Sequence, residues 1–255
     1  MRLAIFADVH GNSIALDAVL ADVERHGSAD GYLVLGDLTN VGPDPVGVLE
    51  RLGRLDNARV VRGNGDRYVV TGELPNWFPA GKTDAQIAAL RVELAASLGW
   101  TRGAVTVAGW YDWLAALPFE LRFALPDGTR VLCVHATHRR DDEYILSPNR
   151  TDDELRALLA DADAELVLAA HTHRPLDRML GDRLRIVNPG CVSNPLPYLD
   201  ERRAGWSLLE AGPSGHSVAS FLVDYDHEAV AAHAWRVRHP SADYIARLQR
   251  VPIAT

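Results

Sequence analysis

Six short apolar runs in this chain share one pattern: each is nearly continuous, and each ends in a polar residue of a particular kind. Residues 3–7 end at Asp8, 32–35 at Gly36-Asp37, and 60–62 at Gly63-Asn64. Residues 130–134 end at His135, 166–170 at His171, and 184–187 at Asn188-Pro189-Gly190. Runs of this length without polar alternation predict strands buried on both faces. Helical spacing lies between them. Asn12 or Ser13 is placed to cap a helix that turns Ile14, Leu16, Val19, Leu20 and Val23 to the core. Thr83-Asp84-Ala85-Gln86 and Thr151-Asp152-Asp153-Glu154 spell capping boxes, the first opening a helix to about Leu98.

Pro126-Asp127-Gly128-Thr129 predicts a hairpin between 119–125 and 130–134, and Gly181-Asp182 one between 175–180 and 183–187. Runs 204–210 and 217–224 read as a later strand pair, followed by a helix near 226–236. The expected architecture is α/β with added antiparallel strands, a single domain over 1–255. Residues 68–118, with Trp77, Trp100, Trp110 and Trp113, read as a helical insertion, and the last fifteen residues as a surface wrap.

Composition narrows the function classes. The chain has 255 residues, 34 acidic against 26 basic, net charge −8, 47% apolar residues and two cysteines. It is apolar enough for a sizeable core. Cys133 and Cys191 are too few for a disulfide framework, which favours a cytoplasmic setting. No apolar run approaches the length of a membrane span, so no membrane partner is expected. A net negative charge argues against a sequence-independent grip on long nucleic acid, which needs clustered cations.

In open α/β folds the carboxyl ends of the strands converge on one edge, where ligands bind. Here they deliver Asp8, His10, Asp37, Asn64, His135, His171 and His173. Asp8-Val9-His10 and His171-Thr172-His173 each set two ligand-type residues two apart, so that both can aim at one ion. Mixed carboxylate and imidazole donors suit Mn²⁺, Fe, Zn²⁺ or Ni²⁺ better than all-oxygen Ca²⁺ or Mg²⁺ sites. With a bridging carboxylate, seven groups suffice for two ions about 3.5–4 Å apart.

In that order these blocks resemble the calcineurin-like metallophosphoesterases, and more narrowly the bacterial phosphodiesterase or diadenosine-tetraphosphatase-like branch. The narrower likeness rests on Gly42-Pro43-Asp44-Pro45, His171-Thr172-His173-Arg174-Pro175, Asn188-Pro189-Gly190, Trp100-Thr101-Arg102, Trp113-Leu114 with Leu117-Pro118, and Arg203-Ala204. The resemblance implies a four-layer α-β-β-α sandwich and two divalent transition metal ions, Mn²⁺ first among them. Asp8, His10 and His173 would hold one ion, Asn64, His135 and His171 the other, with Asp37 between. Asn12 would lie near the phosphate, and Arg174 would either brace its loop or touch substrate. The implied activity is hydrolysis of a small phosphodiester or nucleotide-type phosphoester by a metal-bridging hydroxide.

One departure bears on mechanism. Gly65 stands where the family's common form has a histidine that assists the leaving oxygen. General acid catalysis contributes about 10²–10⁴-fold, so substrates with poor leaving groups should turn over slowly. His138 is the candidate replacement, although a surface histidine is the plainer reading. Ala170 and Cys191 stand where the branch usually has glycine and serine. The alternative from another class is a scaffold that keeps the fold and binds protein partners, as the retromer complex's phosphoesterase-like subunit does. The Trp-bearing insertion is the candidate surface for a homodimer.

Overall fold

A computed structural model describes residues 1–75, 82–194 and 201–250. Trp77 and residues 251–255, named above in the insertion and the surface wrap, lie outside the described residues. One sheet runs β10-β9-β1-β2-β3 and the other β4-β5-β6-β8-β7. The first comprises β1 (Arg2–Phe6), β2 (Gly31–Val34), β3 (Ala58–Val60), β9 (Ala204–Gly212) and β10 (Gly215–Val223). The second comprises β4 (Glu120–Ala124), β5 (Arg130–Val134), β6 (Leu166–Leu168), β7 (Leu176–Leu180) and β8 (Leu184–Asn188). The inner strands β1-β2-β3 and β5-β6-β8 are parallel, and the added strands are antiparallel.

Alternation of side chains across the strands builds the four layers. Leu3, Ile5 and Leu33 from one sheet meet Val131, Cys133 and Leu168 from the other in the middle core. The alternate residues Ala4, Phe6 and Val34 face outward, against helix α1 (Ser13–Arg25) and helix α2 (Pro45–Leu52). On the opposite side Leu132, Val134 and Val167 pack on Leu155 and Leu159, which belong to helix α6 (Asp152–Leu158) and its C-cap. Both faces of the central strands are therefore covered, and this is why their sequence shows no polar alternation.

Helices α3 (Asn64–Thr71), α4 (Asp84–Val107) and α5 (Tyr111–Ala115) follow β3. The Thr83 capping box forms as its spelling predicts, but α4 continues past Leu98 to Val107. Buried Ser97 and Thr101 carry its inner face between Leu98 and Val105, and the apolar periodicity fades there in sequence. Trp110 and Trp113 pack against the outer core rather than facing away. The C-terminal stretch is not a simple wrap: α7 (His227–Arg236) is followed by α8 (Ala242–Leu248), which buries Ile245, Ala246 and Leu248.

His239 links this C-terminal pair to α4. Its ring is 4% exposed and lies edge-on to Trp100 at 4.7 Å, while Nδ1 accepts from the Ser241 amide at 3.1 Å. Burial pushes its pKa down to about 4. A folded-state value below the unfolded one means this contribution is complete above about pH 6.5 and is lost as pH falls toward 4. His239→Asn keeps an acceptor without the titration. We expect its Tm to change less between pH 6.5 and 4 than that of the parent chain, and parallel Tm curves would place the acid sensitivity elsewhere.

Candidate metal centre

Five of the seven ligand-type residues sit in left-handed backbone, with φ of 54° at Asp8, 48° at His10, 53° at Asp37, 66° at His171 and 55° at His173. Each such non-glycine residue costs about 1–3 kcal/mol and persists only where its surroundings enforce it. Here the enforcement is a lattice of loop hydrogen bonds. The Asp8 amide donates to Gly36 O (3.0 Å), the His10 amide to Asp37 O (2.9 Å) and the Ser193 amide to Asp8 O (2.9 Å). Close approach of the Gly36 and Gly63 backbones is equally necessary. A Cβ on Gly36 would lie 2.5 Å from Gly63 N, and one on Gly63 would lie 2.1 Å from Asp37 Oδ1.

These turns gather two sets of donors. In the first, His10 Nδ1 donates to Asn40 Oδ1 (3.2 Å) and His173 Nδ1 to the Asn194 carbonyl (2.7 Å). With Nδ1 so engaged, each ring turns its Nε2 inward, and the two Nε2 atoms stand 3.1 Å apart. Asp8 Oδ1, buried and without a hydrogen-bond donor, is 3.3 Å from His173 Nε2 and 3.8 Å from His10 Nε2.

In the second set, His135 Nδ1 donates to the Leu35 carbonyl (2.7 Å), which turns its Nε2 to within 2.9 Å of Asn64 Oδ1. That amide oxygen faces only acceptors, the others being His171 Nδ1, also at 2.9 Å, and the Asp141 carbonyl at 3.2 Å. Either the amide turns over or a cation among the three lone pairs relieves the arrangement. Asp37 stands between the sets, with Oδ2 3.7 Å from His10 Nε2 and Oδ1 3.6 Å from His135 Nε2. The Gly65 amide, in the first turn of α3, donates to that Oδ1 at 2.7 Å.

Both sets fit a transition metal. Ligand bonds of about 2.0–2.2 Å at right angles put neighbouring donor atoms about 3 Å apart. The facing pairs lie at 2.9–3.3 Å. Second-partner bonds from the ring N–H to a carbonyl are the usual way a ligating histidine is oriented. By mutual distance alone, Asp8, His10 and His173 form one group within 4.8 Å, and Asp8, Asp37 and His135 another.

The electrostatics point the same way. Burial would raise the Asp8 carboxyl, but the imidazoles of His173, His135 and His10 outweigh it and hold it well below the usual range. Burial opposes protonation of His173 and His135, yet the Asp8 carboxylate raises His173, and the Asp37 and Asp8 carboxylates raise His135. Burial, reinforced by His135, pushes His171 down to about 4, and burial also lowers His10. Two buried carboxylates thus need positive charge between the histidines.

The Calcineurin-like phosphoesterase superfamily domain matches residues 1–204. The chain belongs to that superfamily. A symmetrical bis(5'-nucleosyl)-tetraphosphatase from an Acidovorax strain is 32% identical over 103 residues, 40% of this chain and 37% of that protein. The chain therefore spans well under half of that relative's length. An uncharacterized Methanocaldococcus jannaschii protein, MJ0912, is 27% identical over 212 residues, 76% of each chain. Among solved structures, the hypothetical protein PH1004 from Pyrococcus horikoshii OT3 superposes with TM-score 0.77 at 22% identity, covering 97% of both chains. A metallophosphoesterase from Sphaerobacter thermophilus gives TM-score 0.70 at 24% identity, covering 97% of this chain and 98% of its own. These two likenesses show the fold, the metallophosphoesterase sandwich.

The remaining candidate residues have these surroundings. Asn12 is buried; its Oδ1 caps α1 by accepting from Ala15 N (3.0 Å), and its Nδ2 donates to Ser193 Oγ (2.9 Å). Arg174 is half-buried beside His173. His138 Nε2 is 2.8 Å from Asp161 Oδ1 and its Nδ1 is buried with no partner. Asp66 accepts from the Leu38 and Gly63 amides at 2.9 and 3.0 Å, and burial beside Asp37 pushes it up to about 7. Cys191 is buried.

Sequence reasoning missed Asn40 and gave Asn188 no role. Asn188 Nδ2 ties the end of β8 to Ala170 O (2.9 Å) and Thr172 Oγ1 (3.1 Å), holding the His171 turn. Asn40 had a signal in Gly65: a Cβ there would lie 2.3 Å from the Asn40 amide, so Asn40 occupies the space a side chain would need. Overpacking of this kind costs about 1–3 kcal/mol. We expect Gly65→Ala to lose that much stability in denaturant titrations and Asn40→Ala/Gly65→Ala to lose less than the sum of the single changes. Additive losses would mean the two sites do not compete for space.

Proposed function

We propose that this phosphoesterase holds two divalent transition metal ions and hydrolyses phosphodiester or nucleotide-type phosphoester bonds. The observation that carries the reading is Asp37, which presents one oxygen to the His10 side and the other to the His135 side of a buried cluster of facing lone pairs. Asp8, His10 and His173 would hold one ion and Asn64, His135 and His171 the other. Mn²⁺ is the first choice for this mixture of carboxylate, amide and imidazole, with Fe, Zn²⁺ or Ni²⁺ as further occupants. Bound there, such ions polarise phosphoryl oxygens and acidify water at neutral pH.

The chain's own residues supply position. The hydrogen bonds to Asn40, Leu35 and Asn194 fix which nitrogen of each ring is free. The N-terminus of α1, immediately after His10, brings roughly half a positive charge to the same edge, favourable for a phosphate. Asn12 has a second amide N–H beyond its bond to Ser193, and Arg174 a charge beside His173; both are assigned to the substrate phosphate. Gly65 has no proton to give. His138 lies beside Asp161 and is not given the acid's role.

Metal-stripped protein reloaded with Mn²⁺ should bind two ions per chain and hydrolyse bis(p-nitrophenyl) phosphate, with Asp37→Ala losing bound metal and at least about 100-fold in activity. Two bound ions with no turnover on a panel of phosphoesters would favour the protein-binding scaffold instead. Across a leaving-group series the rate should fall steeply as leaving-group pKa rises, by about 10²–10⁴ between phenolic and alkyl esters. A flat series would show that another residue donates the proton.

A further inference from the structure

Residues 191–194 serve the first donor set at three atoms. The Ser193 amide donates to Asp8 O (2.9 Å), the Asn194 carbonyl accepts from His173 Nδ1 (2.7 Å), and Ser193 Oγ accepts from Asn12 Nδ2 (2.9 Å). On the sheet side this loop is fixed by the Val192 amide, which donates to Ala7 O, and by the Cys191 carbonyl, which accepts from Gly205 N. Both of those bonds precede Ser193. Asn194, which carries the bond to His173, sits in left-handed backbone with φ of 56° and needs support of its own.

That support comes from the far end of the chain. Tyr225, just after β10, and Gln249, the C-cap of α8, lie beyond residue 204, where the superfamily match ends. The Tyr225 hydroxyl donates to Gln249 Oε1 at 3.0 Å, and the Ser193 side chain is a hydrogen-bonding neighbour of the phenol. Donor roles then run one way. Ser193 Oγ accepts from Asn12, so its proton is left for the phenol oxygen. The phenol's own proton goes to Gln249 Oε1, which His227 Nδ1 also meets. Leu248 and Gln249 face His10, Ser193 and Asn194 across a cavity of only about 10 Å³. A space for about one water has no room for a substrate, so Tyr225 acts through the loop.

Resting on the two-metal reading above, we infer that Tyr225 is a positioning residue for the first ion. Through Ser193 it holds Asn194, and so the His173 ring, in the orientation that ligation needs. Loss of the partner behind a ligating histidine weakens metal binding by about 10–100-fold. Tyr225 stands one contact further back than that partner, so a smaller share falls to it. The effect belongs to one ion. His135 of the second set is oriented by the Leu35 carbonyl, and the His171 turn is held by Asn188, neither of them on this loop. The last two helices thus serve the metal edge as well as the core.

Mn²⁺ is the probe, titrated by calorimetry into the metal-stripped full chain. Tyr225→Phe removes the hydroxyl and keeps the ring packed, and should weaken one of the two sites by about threefold or more. Two backgrounds identify that site. In His135→Ala, which breaks the second set, Tyr225→Phe should weaken the remaining ion by the same factor. In His173→Ala, which breaks the first set, it should leave the remaining ion's Kd unchanged. No weakening in the parent chain, or equal weakening in both backgrounds, overturns the assignment. If Tyr225→Phe does not fold, Ser193→Ala, which breaks the same relay at the loop, is held to the same criteria. If the parent chain binds two ions and hydrolyses no phosphoester, the phosphoesterase reading fails, and the Mn²⁺ comparison still decides Tyr225. A parent chain that binds no Mn²⁺ overturns both.

Discussion

The structure depends on holding apart groups that repel. His10 and His173 turn their Nε2 atoms at each other across 3.1 Å, and Asn64 Oδ1 faces ring nitrogens of His135 and His171 at 2.9 Å. Asp8 and Asp37 add two buried carboxylates to the same volume. Attraction between these carboxylates and the imidazoles offsets part of the crowding, and the rest of the fold imposes the arrangement. Parallel strands bring five loops to one edge, five residues are bent into left-handed backbone, and buried carbonyls consume the ring protons that would otherwise point inward. The hydrophobic core between and outside the two sheets supplies the stability that a strained edge requires, as in other functional sites.

Much of this was legible in the chain. An apolar run that ends in Asp, Asn or His marks both a strand and its ligand, because side-chain position follows from where the strand stops. The spacing Asp8-Val9-His10 shows two ligands on one turn, and the Thr83 and Thr151 capping boxes formed as spelled. What stayed hidden depended on long-range contact. The carbonyls of Leu35 and Asn194 have no side-chain signature, so the choice of ring nitrogen could not be read. Helices α2 and α3 were short and their starts lay inside the ligand loops. The continuation of α4 past Leu98 was hidden because its buried face includes Ser97 and Thr101, which look polar in sequence.

Glycine illustrates the difference between a motif and its reason. Gly36 and Gly63 stand out in sequence as neighbours of ligands; in the structure the Gly63 backbone fills the space a side chain at 36 would need, and Asp37 fills the space a side chain at 63 would need. Gly65 looks in sequence like the loss of a functional side chain. In the folded chain it is one half of a pair with Asn40, whose amide fills the space and holds His10. Changing one without the other cannot restore a larger residue at position 65.

Charge shows how local arrangement overrides composition. The chain is acidic overall, which argues against nucleic acid spread over its surface. Yet two of those acids, Asp8 and Asp37, are buried where they demand cations, and Arg62 and Arg67 hold Asp141 beside them. The edge thus sets a buried negative centre beside paired arginines, with the Asn64 amide 3.2 Å from the Asp141 carbonyl. Since Coulomb attraction is strongest where water is least, a few buried charges outweigh many exposed ones.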